Sequence, residues 1–273
     1  MAAESLLSSI CDWPVDTAAA GITASGQVAD TVGDTTHVFE LASVTKLLSA
    51  YTVFVAVEEG IVEVDTPLGP SGSTVRHLLA HASGMAVNEP VAEKPVGEHR
   101  IYSSAAFQLV AEYIAAESGF TFTDYAREAV FEPLGMGNTE LYGNAGYGAR
   151  STVADLLVFA AEVISPRLIS EQVLTEATTV QFPELAGIVP GYGRYNPCPW
   201  GLGFEIKGEK NPHWTGENQP TDTVGHFGQA GTYLWVHRPT RRAMVALTDR
   251  PFGAWAKPLW GETNAQVWAG LGG

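Results

Sequence analysis

Ser43-Val-Thr-Lys-Leu-Leu-Ser-Ala-Tyr-Thr-Val-Phe-Val-Ala-Val-Glu-Glu-Gly60 is the most apolar helical stretch of the chain. Leu47, Leu48, Ala50, Val53, Phe54, Val55 and Val57 cover far more than one helix face, which predicts a helix buried all round. Gly60 reads as the residue that stops it. Upstream, 17–23 and 27–32 read as two strands around a turn at Ser25-Gly26 and predict a hairpin, preceded by a short amphipathic start at 3–11. Downstream, helical spacing or capping residues mark 74–81, 104–118, 123–131, 152–164 and 170–178. After a Pro/Gly-rich loop at 190–199 the period returns to two: 200–206, 224–237 and 242–248 read as strands, and 266–271 as part of a final helix. Strands at both ends with helices between predict an α/β chain of the α+β type. In this reading, 1–273 is one domain whose antiparallel sheet comes from 1–42 and 200–273, with a mostly helical lobe, 43–199, inserted.

The 273 residues suffice for a large core without crosslinks. Hydrophobic residues make up 45% and charged residues 16%, a composition that folds. Only 15 Lys and Arg stand against 30 Asp and Glu, a net charge of −15. That balance argues against nucleic acid and anionic membrane surfaces as partners and leaves a small molecule as the expected ligand. The start of the chain lacks a basic, then apolar, leader pattern, and no run approaches the ~18 apolar residues of a membrane span. The expected location is cytoplasmic. There Cys11 and Cys198 are expected as free thiols, with a disulfide left open.

Chemistry concentrates at Ser43-x-x-Lys46. Residues three apart share a helix face, and a serine at a helix N-terminus feels a field that favours developing negative charge. A desolvated lysine in that field loses its proton more easily and can accept the one on serine. Of the five lysines in the chain, this one alone has a serine three residues before it. The other reading of the motif is a capping serine and a snorkelling lysine.

Ser43-Val-Thr-Lys46 is followed by Arg76-His-Leu-Leu-Ala-His-Ala-Ser-Gly-Met85, Tyr102-Ser-Ser104, Glu132-Pro-Leu-Gly-Met136 and His226-Phe-Gly-Gln-Ala-Gly231. In order and spacing these resemble the superfamily of class C β-lactamases, D-alanyl-D-alanine carboxypeptidases and esterases, over roughly residues 17–250. The resemblance implies Ser43 as nucleophile, Lys46 as its base, and Tyr102 as a tyrosine whose phenolate moves protons. Ser104 stands where the family usually has asparagine, and is either a substrate-binding hydroxyl or a helix cap. His226 takes the place of the lysine in Lys-Thr-Gly. Gly228 would admit substrate to the strand, and the backbone N–H of Gln229 would join that of Ser43 as oxyanion hole.

A neutral histidine is a poor anchor for a carboxylate. The expectation is therefore a serine hydrolase of small esters; D-amino-acid amides or peptides come next and β-lactams after them. A non-catalytic ligand-binding protein is the alternative from another class. No cofactor is implied. His77 and His81 have the spacing of a metal pair but lack the glutamate of His-Glu-x-x-His, and no metal is expected there. Tyr192, Tyr195, Trp200 and Trp214, beside the late strands, could line an acyl pocket but more often would be core or loop anchors, and no site role is assigned to them.

Overall fold

The computed structural model of the chain describes residues 5–272. A 3-10 turn, Ser8–Asp12, leads into β1 (Ala18–Ala24), β2 (Gln27–Val32) and a short β3 (Phe39–Glu40). Helices α1 (Thr45–Glu58), α2 (Val75–Leu79), α3 (Ser104–Ser118), α4 (Phe122–Ala126) and α5 (Glu132–Leu134) follow, the last two joined by a π-helical turn at Arg127–Phe131. Then come β4 (Glu140–Leu141), β5 (Ala149–Ser151), α6 (Val153–Ile164) and α7 (Glu171–Thr178). The chain closes with β6 (Gly187–Val189), β7 (Gly193–Tyr195), β8 (Glu205–Ile206), β9 (Val224–Gly228), β10 (Thr232–His237), β11 (Arg242–Thr248) and α8 (Ala256–Gly270).

The main sheet runs β2-β1-β11-β10-β9-β8, with every neighbouring pair antiparallel. Alternation along its central strands builds two cores. Leu234, Val236, Val245 and Leu247 face the helical side, where Gly21 is bare because a Cβ would stand 2.6 Å from Leu157 of α6. Ile22, Tyr233, Trp235 and Met244 face Trp260, Val267 and Trp268 of α8. Full burial of each such side chain contributes about 1.5–3 kcal/mol. The Trp235 Nε1–H donates to Asn264 Oδ1 at 2.8 Å, whereas the buried Nε1 of Trp260 in the same core has no partner.

The antiparallel sheet drawn from both parts of the chain and the flanking helices match the expectation. Four details differ. The stretch at 190–199 contains β7, paired with β6 in a hairpin. Of 200–206 only Glu205–Ile206 is strand. The stretch 224–237 is two strands around a turn in which Gly231 takes φ +88°. The last helix starts ten residues before 266, with Pro258 in its first turn, where a missing N–H costs nothing. Residues 3 and 4 of the amphipathic start lie outside the described residues. Cys11 is exposed, Cys198 is buried, and both are free thiols. Among the described residues no helix is long and apolar enough to cross a membrane.

Candidate active site

Ser43 sits in a 3-10 turn, Ala42–Val44, that feeds directly into α1. Its predecessor Ala42 has φ +45°, a left-handed backbone that costs a non-glycine residue about 1–3 kcal/mol and persists only where neighbours enforce it. Two neighbours do. The Leu41 N–H donates to Ala149 O at 2.9 Å, and Thr232 Oγ1 donates to Leu41 O at 2.9 Å. The residues before the serine are thus tied to β5 on one side and β10 on the other. In the first turn of such a helix the Ser43 N–H has no intrahelical carbonyl to bond.

Lys46 is fully buried. Its Nζ lies 3.4 Å from Ser43 Oγ, 3.0 Å from Ser104 Oγ and 2.8 Å from Gly146 O. Burial holds the ammonium well below the usual lysine range. Among the described residues no carboxylate pairs with Lys46 to offset that burial, so the amine is poised to be neutral. A neutral amine can donate to Ser104 and Gly146 and keep its lone pair for Ser43. The loop that supplies Gly146 is itself fastened: Ser49 Oγ donates to Ala145 O at 2.7 Å, and the Ala145 N–H to Gln108 Oε1 at 3.1 Å. Gly146 has no room for a side chain, since a Cβ would lie 2.8 Å from that of Ser104. Gly146 has no counterpart in the sequence reading, because a backbone carbonyl a hundred residues away has no residue signature.

The Tyr102 hydroxyl donates to Ser43 Oγ at 2.6 Å. Its state differs from the phenolate expected: burial pushes the phenol well above its ordinary range, and the bond to Ser43 only partly opposes this. Tyr102 is therefore a neutral donor at rest. His81 brackets it. The His81 carbonyl accepts from the Ile101 N–H at 2.9 Å, its Nδ1 accepts from the Ser103 N–H at 3.1 Å, and its ring lies 4.7 Å from that of Tyr102. His81 takes φ +58° to do so. The other histidine of the apparent metal pair, His77, caps α2 through Thr74. Ser103, not Ser104, caps α3 by accepting from the Ala106 N–H, which frees the Ser104 hydroxyl for Lys46.

The end of β9 closes the site. A Cβ on Gly228 would stand 2.2 Å from Leu41 O and 3.2 Å from Ser43 N, so only glycine lets this strand lie against the serine. Gln229 follows, facing the same cavity of about 470 Å³, whose walls also include Val87, Val189, Trp200 and Phe227. Trp200, one of the aromatics read as a core or loop anchor, is thus a wall of the site. His226 is in the lining but only 2% exposed. Its Nδ1 engages Phe227 O at 2.6 Å, its Nε2 is covered and unpartnered, and burial pushes its pKa down to about 3. At the position of the lysine in Lys-Thr-Gly there is a neutral ring. The cavity lining carries two carboxylates, Glu40 and Glu205, and no lysine or arginine. Burial alone would raise the Glu205 carboxyl, but Lys210 and His213, at 3.0 and 3.1 Å from Oε1, hold it well below the usual range.

The β-lactamase family model matches residues 15–266. The chain belongs to the β-lactamase family. Its members are serine hydrolases, and the Ser43-x-x-Lys46 pair lies inside the matched segment. A crystal structure of a β-lactamase from Mycobacterium bovis is 51% identical and superposes with a TM-score of 0.96, covering 98% of this chain and 99% of that one. A class C β-lactamase of Rhodobacter sphaeroides shares the β-lactamase fold at 15% identity, with a TM-score of 0.72 and 98% of each chain covered. A penicillin-binding protein of Bacillus subtilis is 30% identical over 141 residues, 40% of this chain and 31% of that protein. The matched segment thus spans about a third of the length of that curated relative.

Proposed function

We propose that this member of the β-lactamase family hydrolyses small carboxylic esters through an acyl-enzyme on Ser43. One observation carries the reading: Ser43 Oγ is held between a donating Tyr102 hydroxyl at 2.6 Å and the buried Lys46 amine at 3.4 Å. In this scheme Ser43 attacks the ester carbonyl and its proton passes to Lys46. The oxyanion meets the N–H groups of Ser43 and Gln229. Collapse expels the alcohol, protonated from Lys46 on the side where Tyr102 stands, and water repeats the sequence to free the acid. The neutral His226 and a lining without lysine or arginine favour an uncharged acyl group over one that bears a carboxylate.

The test is intact-mass spectrometry after fluorophosphonate treatment, with p-nitrophenyl acetate and butyrate turnover in the native protein and in Ser43→Ala. One adduct on Ser43 and turnover lost in the variant are expected; an unlabelled, inactive protein would point to a ligand-binding role instead. The 51% identity to a protein titled a β-lactamase motivates a second reading, cleavage of the β-lactam amide by the same serine. A chromogenic cephalosporin hydrolysed faster than the acetate would favour it.

A further inference from the structure

A second cleft, of about 400 Å³, opens beside the catalytic cavity and shares Val87, Tyr102 and Pro190 with it. Its remaining apolar wall includes Ile101, Ala186 and Ile188, the last 62% exposed. Three cations meet there: Lys94, Arg100 and Arg194. Among the described residues none of the three has a carboxylate within salt-bridge distance, although the chain has twice as many acidic as basic residues. Arg100 is only 4% exposed. Its guanidinium donates to the carbonyls of Ala80, Gln181 and Phe182, and its Nε has no partner. Carbonyl dipoles satisfy its donors without cancelling its charge, and a buried charge is poorly screened. Against this stand Glu93, in the same lining, Glu98, paired with His99 at 3.3 Å, and Glu184, whose charge acts on Arg100. The catalytic cavity carries no such excess of positive charge: its wall holds Glu40 and Glu205, the latter paired with Lys210 at 3.0 Å. Positive charge confined to the cleft side of Tyr102 orients a ligand with one neutral and one anionic end.

We propose that this cleft is a subsite for the carboxylate end of the substrate's leaving group. The proposal rests on Ser43 as nucleophile, because Tyr102 separates Ser43 from the cleft and stands on the side where the leaving oxygen departs. The preferred substrate is then an ester of a neutral acyl group with an aromatic or aliphatic hydroxy acid.

Two acetate esters matched in leaving-group reactivity test it: 3-(4-acetoxyphenyl)propanoate and its neutral propanamide counterpart. The acid is expected to exceed the amide in kcat/KM by about tenfold, the size two partly screened charge contacts supply, and the ratio should shrink as salt rises. In the doubly reversed variant Lys94→Glu, Arg194→Glu the ratio should fall below one. An equal charge change at Arg241 and Lys257, outside the cleft, should leave the ratio as it was. A native ratio of one or less, or a ratio indifferent to the reversal, overturns the subsite. If neither ester turns over, the Ser43 reading has failed, and calorimetry with 3-(4-hydroxyphenyl)propanoate still decides the cleft. Binding that the reversal abolishes supports it, and absence of binding to the native protein removes it.

Discussion

His81 shows what a single side chain does that no spacing rule assigns to it. It holds Ile101 and Ser103 by hydrogen bonds and packs its ring at a tilt against the tyrosine between them, so it acts as a positioning residue for Tyr102. Replacing Tyr102 with Phe should lower kcat by about 10²–10⁴, the usual worth of a positioned proton-transfer group. His81→Ala should lower kcat by about 10–100-fold with little change in KM, because misplacing such a group by an ångström costs that much. His81→Asn, which tolerates the left-handed backbone and offers an oxygen to the Ser103 N–H, should recover part of it. In a Tyr102→Phe background the His81→Ala change should cost less than about twofold, since no hydroxyl is left to place. Ester kinetics of the four proteins give the answer, and an additive loss would reduce His81 to a purely structural role. Ser43 and Lys46 were legible in the sequence because their types and i, i+3 spacing place a base beside a hydroxyl, and Tyr102 through the resemblance of the motifs around it. The Gly146 carbonyl and the His81 clamp were not, because each depends on which backbone the fold brings near.

Among the elements, β9 bears most directly on the serine, since its last residue lies against Leu41 and Ser43. Gly228→Ala would press a methyl onto the Leu41 carbonyl oxygen, a backbone atom that cannot swing aside, so the strand must retreat from the serine. A displaced oxyanion donor costs about 10²–10³ in kcat. The expected result is a loss of at least that size with the circular dichroism of the native protein retained. Gly137→Ala, at a site where nothing lies within 4 Å, should change neither. Full activity in Gly228→Ala would show that β9 takes no part. The strand β11 was readable because a short continuous apolar run, 243–247, suits a strand buried on both faces, whereas β9 and β10 read as one strand because the turn between them is short. The start of α8 was hidden by Pro258 and Gly261, residues that speak against helix until Trp260 and Trp268 are seen to fill the core under the sheet. The β6–β7 hairpin was hidden in the same way by its Pro/Gly-rich setting.

For the molecule as a whole, buried neutral histidines set the response to acid. Burial lowers the pKa of His81, His213 and His226 alike. Below about pH 6.5 the unfolded chain takes up protons that the native chain refuses, so each such histidine removes about 1.4 kcal/mol of stability per pH unit while that difference lasts. Glu205 acts in the same direction at lower pH: its carboxyl is held below the ordinary range, and the stability this provides is lost as pH falls through that range into the depressed pKa. Relief of the negative surface charge opposes both, and about 0.5 M salt screens it. Urea midpoints in that salt should fall steeply between pH 6.5 and 4.5; a flat series would mean that these histidines are not held neutral. The order β2-β1-β11-β10-β9-β8 carries a further consequence, for the ribosome. Residues 18–24 wait for residues 242–248 before the middle of the sheet can form, and a nascent chain presents α1, with its apolar surface bare, long before β9 arrives to flank Ser43. The serine therefore gains its setting only after residues 224–248 have been made, and until then α1 lacks the sheet that covers its apolar surface and is open to aggregation.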